Sequence, residues 1–589
     1  MNWSTIEQAR QRLARERGAV RKDWGGRIPI ALVYPNSYHV GMSSLGMQTI
    51  YRLLNEHDNL VAERFFVEER GAARPGGPPP VSIESQRPPG DFACLAFSVS
   101  FELDYFNIVQ FLRASGLPLY AADRDDGAPL TIAGGACCIT NPEPIAPFFD
   151  ALVVSEGEAV MPALGEAIAI AARDGRRAAL RYLSGVPGVY LPSLMEPGTA
   201  QPNARRRWVR DLDTTPAHSV VLTPDTELAD MYLIEVSRGC GRGCRFCLAG
   251  YVFRPARVRH LDTLLAQAEE GLRLTRRIGL TSPAVSDLPD LEPLVLSLYE
   301  RGAEISVSSL RVDNLSDAVL NALAASGTRN VTMAPEAGSQ RLREVVNKGV
   351  AEEQVLAAVE KVARRRVPQL KFYFMVGLPT ETDEDVEAMA ALLRESKAIL
   401  DRHRAGTRLV ASISPFVPKA GTPWQWLGMA PVGVVDARLA RLKAALRPAG
   451  IEMRGENAGW AELDACLSRG DRRLAAVLER MDDIKPSSWK RAMAECGLSI
   501  DHYVHQEWSP REPLPWQYLD WGMSRKFFEL ELRRTQSARH TKGCPPDFDN
   551  SCRLCGVCTD AVRGPISGRA WERGGPAPER AAAPALALT

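Results

Sequence analysis

The sequence has no stretch that would carry the chain into or across a membrane. Its 589 residues contain no run of about 18 apolar residues, the length that a membrane-spanning helix needs. The first residues, MNWSTIEQARQRLARERGAVRKDWGG, are polar and charged, and they contain no apolar signal-peptide core. We therefore expect a cytoplasmic protein with no membrane partner.

An excess of charge of either sign is also missing. The chain has 72 Lys and Arg residues against 71 Asp and Glu residues, and its formal net charge is +1. No overall field therefore attracts nucleic acid or an anionic surface. Hydrophobic residues make up 45% of the chain and charged residues 24%, which is ordinary for a globular protein. The length predicts roughly three or four domains.

Disulfide bonds are not expected, because the reducing cytoplasm makes clustered cysteines more typical of metal sites. The chain has 12 cysteines. Seven of them fall in two tight groups, Cys240/Cys244/Cys247 and Cys544/Cys552/Cys555/Cys558. The remaining five are expected to be small buried hydrophobic residues: Cys94, Cys137, Cys138, Cys466 and Cys496.

Strand and helix patterns alternate in residues 28–200, after a helical lead at residues 1–27. Apolar runs such as RIPIALVYP and FACLAFSVSF predict buried strands, and helical spacing follows them. This alternation predicts a Rossmann-like domain with a parallel sheet covered on both faces. Such sheets bind ligands beyond the carboxyl ends of their strands. The residues expected at those ends are Gly134, Gly135, Glu156 and Gly157.

The alternation restarts after a linker at residues 201–224, in which the basic run Arg205–Arg207 is expected to be solvated. Six strand–helix units in residues 225–430 predict a six-unit partial (β/α) barrel rather than a closed eight-stranded one. The fold class is therefore multidomain α/β. The C-terminal regions are a mainly helical domain at 431–540, a Cys-rich metal motif at 541–562 and a Pro/Ala/Gly-rich tail at 563–589, expected to be disordered.

The first cysteine group lies in the segment EVSRGCGRGCRFCLAG and has the spacing C-x3-C-x2-C. Structural zinc takes four ligands, often from two C-x2-C pairs, but this loop has one such pair and no histidine. Iron–sulfur clusters also normally take four cysteines. Three cysteines leave one iron without a protein ligand, and that iron can bind a small molecule.

This spacing, with Phe246 before the last cysteine and a predicted strand just ahead, resembles that of the radical S-adenosylmethionine (SAM) superfamily. The resemblance implies a six-stranded partial barrel and a [4Fe–4S] cluster whose open iron is chelated by SAM. An electron from the reduced cluster splits the sulfonium bond, and the resulting 5′-deoxyadenosyl radical abstracts a substrate hydrogen. The resemblance also implies an electron donor of the flavodoxin or ferredoxin type.

Later strands carry segments similar to the SAM-binding motifs of this family. SSLRVD would place Arg311 at the methionine carboxylate, and APEAGSQRL, followed by NKG, would place Glu336 near SAM. FMVGLPTET would bring the backbone of Gly377 beside the adenine. The second-strand segment TSPAVSD departs from the usual Gly-Gly-Glu, so Ser286 or Asp287 is expected to hold the amino group instead.

The segment IAGGACCITNPEPIAPFFDALVVSEGEAVMPAL resembles the cobalamin-binding domain found ahead of many radical SAM enzymes. The shared elements are the Gly134–Gly135 turn, NPEP and the SEGE strand end, which contains Glu156 and Gly157. The D-x-H-x-x-G motif, which supplies a lower axial histidine to cobalt, is missing, and His39 has the wrong spacing. Either cobalamin binds without a histidine ligand, or this domain binds something else.

The second cysteine group, CPPDFDNSCRLCGVC, has the spacing C-x7-C-x2-C-x2-C. Four thiolates so close in sequence indicate a metal site with no open position. An electron-transfer iron–sulfur cluster and a structural zinc both fit. The cluster is favoured because C-x2-C-x2-C also occurs in ferredoxin loops.

The leading hypothesis is a radical SAM enzyme that methylates or rearranges an unidentified substrate, with cobalamin as methyl carrier. One alternative is methylthiotransferase-like modification of tRNA or a ribosomal protein, so a nucleic-acid partner stays open. Its additional cluster would need three N-terminal cysteines, and Cys94, Cys137 and Cys138 have the wrong spacing. Another alternative is a non-catalytic iron–sulfur scaffold, which the intact cysteine triad argues against.

Overall fold

A computed structural model describes residues 3–67, 80–194, 204–544, 552 and 554–558. Within those ranges, none of the helices combines the length and the apolar character needed to cross a bilayer. The tail at residues 563–589, predicted to be disordered, lies outside the described residues. The four cysteines of the C-terminal group are all described.

The N-terminal domain is a six-stranded sheet with the strand order β2-β1-β3-β4-β5-β6, parallel except for β6. The strands are β1 (Ile28–Tyr34), β2 (Leu60–Phe66), β3 (Cys94–Ser98), β4 (Leu130–Gly134), β5 (Ala151–Val153) and β6 (Val189–Tyr190). The helices are α1 (Trp3–Arg15), α2 (Tyr38–Gly41), α3 (Leu45–Glu56), α4 (Tyr105–Ala114), α5 (Ala136–Thr140), α6 (Gly157–Asp174) and α7 (Arg176–Leu183).

The sheet is buried on both faces, as the continuous apolar runs predict. Ile30 and Leu32 of β1 point into one core cluster, and Ala31 and Val33 point into another. Strand β2 was not predicted, because its sequence LVAERFF carries two charges in the middle. Arg64 is nevertheless buried there, because ion pairs of 2.6 and 2.7 Å with two glutamates compensate its charge.

The second domain is an open barrel built from two parallel sheets, of order β11-β10-β7 and β12-β13-β14-β15. A parallel bridge from Leu310 to Met333 joins them. Its strands are β7 (Tyr232–Glu235), β10 (Arg277–Thr281), β11 (Glu304–Val307), β12 (Asn330–Glu336), β13 (Gln369–Val376), β14 (Arg408–Pro415) and β15 (Glu452–Gly455), with a short hairpin of β8 (Ser237–Arg238) and β9 (Arg257–Val258). The outer helices are α8 (Leu261–Leu272), α9 (Leu291–Glu300), α10 (Asp317–Ala325), α11 (Gln340–Val346), α12 (Glu352–Arg364) and α13 (Asp383–Arg402).

The six predicted strand–helix units are present, and the barrel does not close. Strand β15 is an addition, since it comes from the region predicted to be helical and pairs with β14 from Val410 to Ile413. The rest of that region is helical, as predicted. Its helices are α14 (Val432–Leu446), α15 (Ala458–Arg469), α16 (Leu474–Glu479), α17 (Pro486–Glu495), α18 (Ile500–Val504) and α19 (Arg525–Gln536).

The C-terminal region connects the N-terminal sheet to the barrel. Asn141, just after α5, donates hydrogen bonds to the backbone carbonyls of Ser468 and Gly470, at 3.2 and 2.8 Å. The indole of Trp521 donates to the carbonyl of Ile139 at 2.7 Å. One hydrophobic core cluster accordingly extends from the N-terminal sheet through the barrel to α19. This packing brings the carboxyl ends of the N-terminal strands to the mouth of the barrel.

Candidate active site between the barrel and the N-terminal sheet

The first cysteine group lies on a tightly folded loop directly after the β8 strand. The Cys240 N–H donates to the carbonyl of Ala249 at 2.9 Å, and the Cys247 N–H donates to the carbonyl of Cys244 at 3.0 Å. Gly239, which precedes the loop, has a φ of +72°, and a Cβ there would lie 2.2 Å from the carbonyl oxygen of Phe253. The glycine of RGCGRGC is therefore required by the turn that introduces the first cysteine.

The three thiols lie within electrostatic reach of one another. Burial raises the pKa of Cys240 to about 11, and the neighbouring Cys244 adds to the effect. Burial raises the pKa of Cys247 to about 12, with contributions from both other sulfurs. In the part of the chain that the structure describes, no three His, Cys, Asp or Glu side chains are arranged as ligands of a single metal ion.

Arg245, in the middle of the loop, is fully buried and anchors the loop to two other elements. Its Nη1 donates to the carbonyl of Val345 at the end of α11, at 2.6 Å, and its Nε pairs with Glu531 of α19 at 3.2 Å. The Arg245 N–H also donates to the carbonyl of Val346 at 3.0 Å. The loop is therefore held in one conformation by the barrel and by the C-terminal helix.

Glu336 and Arg311, both predicted to contact SAM, lie beside this loop. Glu336 ends β12 at a register shift, has a φ of +71°, and accepts a hydrogen bond from Lys348 Nζ at 3.0 Å. Arg311 pairs with Asp313 through two bonds of 2.9 Å. Burial would lower the pKa of Lys348, but Glu336, with a smaller contribution from Cys244, outweighs burial and raises it. Opposite charges thus flank the cysteines.

Ser286 and Asp287, which follow β10 and were expected to hold the SAM amino group, both contact other residues of the protein. Ser286 is buried, and its hydroxyl accepts from the Arg311 N–H at 2.9 Å. Asp287 forms a two-bond pair with Arg242 of the cysteine loop, at 2.9 and 2.7 Å. Asp287 therefore ties the loop to β10, whereas Ser286 fixes the backbone of Arg311. Their assignment to the SAM amino group stays a prediction.

Gly377 follows β13 with a φ of +80°, and its N–H donates to Glu381 at 2.6 Å. The same carboxylate accepts from Arg438 Nη1 at 2.7 Å. Burial raises the pKa of Glu381 to about 7, against the opposing effects of these two partners.

Phe246 is half-buried and packs into a small core cluster with Trp424, at 6.5 Å between ring centroids. Both predicted residues therefore frame the mouth of the barrel.

A cavity of about 580 Å³ lies between the N-terminal sheet and the barrel. Its wall from the N-terminal domain includes all four predicted residues, Gly134, Gly135, Glu156 and Gly157. From the barrel it is lined by the residues leading into the cysteine loop and by the carboxyl ends of β10 and β11, namely Ser237, Arg238, Gly239, Thr281, Ser282 and Ser308. The cavity therefore reaches the residue before Cys240.

Glu156 connects three segments at the edge of this cavity. Its buried carboxylate pairs with Arg206 at 3.2 Å, with Arg238 at 3.0 Å and with Arg257 at 2.7 Å. Arg206 was predicted to be solvated in the linker. That prediction is wrong for Arg206, whose side chain is 1% exposed, because the buried carboxylate supplies the countercharge that a buried guanidinium requires.

His39 does not lie at this cavity. It lines a separate cleft with residues of α1 and with Asp225. None of the described residues that line the large cavity is a histidine.

Two family models match the chain and together span more than half of it. The model described as radical SAM proteins, N-terminal, matches residues 46–192, and the radical SAM superfamily model matches residues 234–393. The second range contains the cysteine loop and the strands that carry Arg311, Glu336 and Gly377. The chain belongs to the radical SAM superfamily. It is a radical SAM enzyme, and the family uses a [4Fe–4S] cluster and SAM.

Relatives of this radical SAM protein include an uncharacterized protein of Methanocaldococcus jannaschii, 28% identical over 81% of this chain and 95% of the relative. An uncharacterized methyltransferase of Pyrococcus horikoshii is 28% identical over 41% of this chain and 52% of the relative. A tRNA-2-methylthio-N(6)-dimethylallyladenosine synthase of Methylococcus capsulatus is 26% identical over 43% of this chain and 56% of the relative. The match thus spans about half the length of the latter two.

Two solved structures align with most of this chain at low similarity. The radical SAM methyltransferase TsrM from Kitasatospora setae, with cobalamin and a [4Fe–4S] cluster bound, has 14% identity and a TM-score of 0.43 over 87% of this chain and 100% of that one. The cobalamin-dependent SAM radical enzyme OxsB has 13% identity and a TM-score of 0.46 over 87% of this chain and 79% of that one.

The residues of this radical SAM protein fit the two cofactors of its family. Three thiols on one rigid loop suit a cluster with one open iron, and the paired charges of Lys348, Glu336 and Arg311 suit an amino acid moiety such as that of SAM. Sequence reasoning named NKG as a motif but did not assign a role to Lys348. It also missed Arg245 and Glu381, since nothing in their local sequence shows that the fold buries them beside the site.

Proposed function

We propose that this radical SAM enzyme binds cobalamin in the cavity between its N-terminal sheet and its barrel. It would methylate or rearrange a substrate that enters the same cavity. The observation that carries the proposal is the position of the cavity. One side consists of the carboxyl ends of the N-terminal strands, and the other side adjoins the loop of Cys240. A group bound there lies between the two domains and within reach of both.

The strand order of the N-terminal sheet supports a ligand on this side. In an order of 2-1-3-4-5, the connections from β1 and β3 leave on opposite faces, and the crevice between these strands is where open α/β sheets bind ligands. Leu32 of β1 and Phe97 and Ser98 of β3 line the cavity. The segments Gly134–Gly135 and Glu156–Gly157 follow the next two strands at the same edge.

The lining also suits a large, flat and largely apolar macrocycle. Apolar side chains such as Leu45, Ile50, Met161 and Phe253 form much of the wall. None of the described lining residues is a histidine, so a cobalamin held here would receive no imidazole ligand from this wall.

The protein's own side chains would perform distinct tasks. Cys240, Cys244 and Cys247 would hold the cluster, which supplies the electron for cleavage of the SAM sulfonium bond. Lys348 and Arg311 would orient the carboxylate of SAM by charge, and Glu336 would accept hydrogen bonds from its amino group. Bound cobalamin would supply a methyl carrier or a radical partner.

The test is anaerobic purification and cluster reconstitution of the full chain, followed by two measurements. Cobalamin binding is followed by its visible absorbance, and 5′-deoxyadenosine is quantified after addition of SAM and dithionite. We expect stoichiometric cobalamin and formation of 5′-deoxyadenosine. The variant Ala96→Leu, which adds a side chain to the cavity wall, should weaken cobalamin binding about tenfold, equivalent to about 1.4 kcal/mol.

Ala122→Leu is the matched control, because the same volume is added at an exposed position of the same domain. It should leave cobalamin affinity unchanged. A wild-type protein that forms 5′-deoxyadenosine but does not bind cobalamin would refute the cobalamin proposal while preserving radical SAM chemistry. Equal weakening in both alanine variants would refute the location.

The relatives named as tRNA methylthiotransferases favour a second candidate function. Their chemistry would need a further cluster in the N-terminal domain. Cys94 is buried in one core cluster of that domain, and Cys137 and Cys138 are buried in the other. Three cysteines divided between two cores do not form one ligand set, which disfavours this candidate. Incubation with unmodified tRNA and detection of methylthio nucleosides would establish it if the cobalamin test failed.

A further inference from the structure

We propose that Cys544, Cys552, Cys555 and Cys558 hold a second iron–sulfur cluster that passes electrons to the cluster on the Cys240 loop. The C-terminal cysteine group is remote in sequence, but it packs directly on that loop. This inference does not depend on cobalamin. It assigns a reduction route to the radical SAM site.

The contact between the two cysteine groups is a backbone hydrogen bond. The Cys544 N–H donates to the carbonyl of Gly241 at 2.7 Å, and Gly241 immediately follows Cys240. A Cβ on Gly241 would lie only 3.3 Å from Cys544 Cβ. The glycine therefore lets the C-terminal segment approach the first cysteine of the radical SAM loop.

Asn347 of the NKG motif holds the two segments together. Its Nδ2 donates to the carbonyl of Gly243 at 2.9 Å and to the carbonyl of Thr541 at 3.1 Å. Its Oδ1 accepts from the Thr541 N–H at 2.9 Å. The Thr541 hydroxyl in turn bonds to Glu531, the partner of Arg245. The cysteine loop and the approach to Cys544 are thus parts of one buried network.

Cys555, in the middle of the last three cysteines, is also packed against the body of the protein. The carbonyl of Cys555 accepts from the Ser524 N–H at 2.8 Å, and Cys555 and Val557 are buried in the main core cluster. Gly556 has a φ of +92°, which allows the chain to turn between them. Cys544, Cys552 and Cys555 all lie within electrostatic reach of the Cys558 thiol, so the four sulfurs share one neighbourhood.

A buried cation lies among these sulfurs. Arg254 is 4% exposed, and its guanidinium lies within electrostatic reach of Cys544 and Cys555. Its Nη2 donates to the carbonyl of Arg242 at 3.2 Å and the group lies 5.4 Å from the centre of the Tyr251 ring, but its Nε is buried without a hydrogen-bond partner and no carboxylate among the described residues pairs with it. A buried guanidinium without a carboxylate partner is costly. Metal-bound thiolates would supply the missing negative charge.

Iron fits this position better than zinc because of what lies next to it. Zinc has no redox chemistry and would give a structural site only. The neighbouring radical SAM cluster consumes one electron for each SAM that it cleaves. In the proposed step one electron leaves the C-terminal cluster and enters the radical SAM cluster, so the first is oxidised and the second reduced by one unit. A one-electron donor of the flavodoxin or ferredoxin class restores the first.

The site is tested without the radical SAM cluster in the full-length variant Cys240→Ala/Cys244→Ala/Cys247→Ala. After anaerobic purification we expect about four iron atoms and four acid-labile sulfides per chain, retained at Cys544, Cys552, Cys555 and Cys558. Dithionite should give a paramagnetic resonance signal that SAM does not change. Zinc without sulfide, or no metal, would overturn the proposal.

Two further measurements keep the test independent of how well that variant folds. Reduced wild-type protein should show two cluster signals, of which SAM changes one, and a single SAM-sensitive signal would refute a second cluster. The pair Cys552→Ser/Cys558→Ser should lose about half of the iron and keep the SAM-sensitive signal. Cys496→Ser, a cysteine outside both groups, is the control and should keep all of the iron.

The electron route is tested with two reductants and the Cys552→Ser/Cys558→Ser variant. With a reduced ferredoxin or flavodoxin, 5′-deoxyadenosine formation should fall at least tenfold, whereas with dithionite it should stay within about twofold of wild type. An equal effect with both reductants would refute the route. Failure of cobalamin binding would leave the iron content, the signals and the reductant dependence unchanged, so the two proposals fail separately.

Discussion

Replacing Glu156 by glutamine should destabilise the packing of the N-terminal sheet on the barrel. Burial alone would raise the pKa of this carboxyl, but Arg257, Arg238 and Arg206 outweigh burial and lower the pKa from 4.5 to about 2. That difference corresponds to about 3 kcal/mol of stability at neutral pH. The amide would keep the shape of the side chain but would lose its charge.

The loss would fall mainly on two arginines. Among the described residues, Arg206 and Arg257 have no carboxylate partner other than Glu156, and each side chain is 1% exposed. Arg238 would keep Glu235 and Glu158, at 2.8 and 2.7 Å. Removing one partner of a buried ion pair costs about 3 to 5 kcal/mol. The pKa and the contacts therefore give the same magnitude.

Urea unfolding at pH 7, followed by circular dichroism and tryptophan fluorescence, measures the effect. Asp174→Asn, in an exposed pair with Arg173, is the control and should give no resolvable change. Because the folded pKa is lowered, the stabilisation by Glu156 is complete above about pH 4.5 and is lost as the pH falls through 2. The difference between wild type and Glu156→Gln should therefore be constant from pH 5 to pH 8. A difference below about 1 kcal/mol, or one that varies across that range, would refute the reasoning.

Three further predictions concern single residues, one at the cavity and two in the barrel. Gly135→Ala should destabilise the protein in urea by about 2 kcal/mol or more, because φ is +108° and the new Cβ would lie 2.4 Å from the Val99 carbonyl oxygen. Gly116→Ala, at a φ of +73° with open space around it, isolates the backbone cost and should lose only about 1 kcal/mol. Lys348→Met should weaken SAM binding by isothermal titration about tenfold without changing the iron content, and an unchanged affinity would count against its role. Burial raises the pKa of Glu381 to about 7, against the opposing effect of Arg438, so the folded state binds a proton that the unfolded state releases above pH 4.5. The free energy of unfolding of the wild type should therefore fall by up to about 3 kcal/mol between pH 4.5 and 7. Glu381→Gln should remove this pH dependence, and the same pH dependence in both proteins would contradict the prediction.

Local patterns in the sequence were sufficient to predict most strands of the N-terminal sheet and of the barrel. The runs at β1, β3 and β4 are apolar throughout because the sheet is buried on both faces, and such runs are visible without tertiary information. Strand β2 was missed because Arg64 interrupts its pattern, and the two glutamates that compensate it lie outside the strand. Strand β15 was missed because four residues, EMRG, have no apolar period and pair only with a strand already in place.

The sequence alone determined the chemistry of the radical SAM loop. The spacing C-x3-C-x2-C limits the number of ligands, and the family match agrees with it. Tertiary structure alone decided which distant groups meet that chemistry. Four features join residues from 50 to about 300 positions apart: the contact between Gly241 and Cys544, the hydrogen bonds of Asn347, the position of Arg254 beside Cys544 and Cys555, and the arginines around Glu156. Such contacts depend on how the domains pack, and side chains that compensate each other's charge leave no periodic signal in either segment.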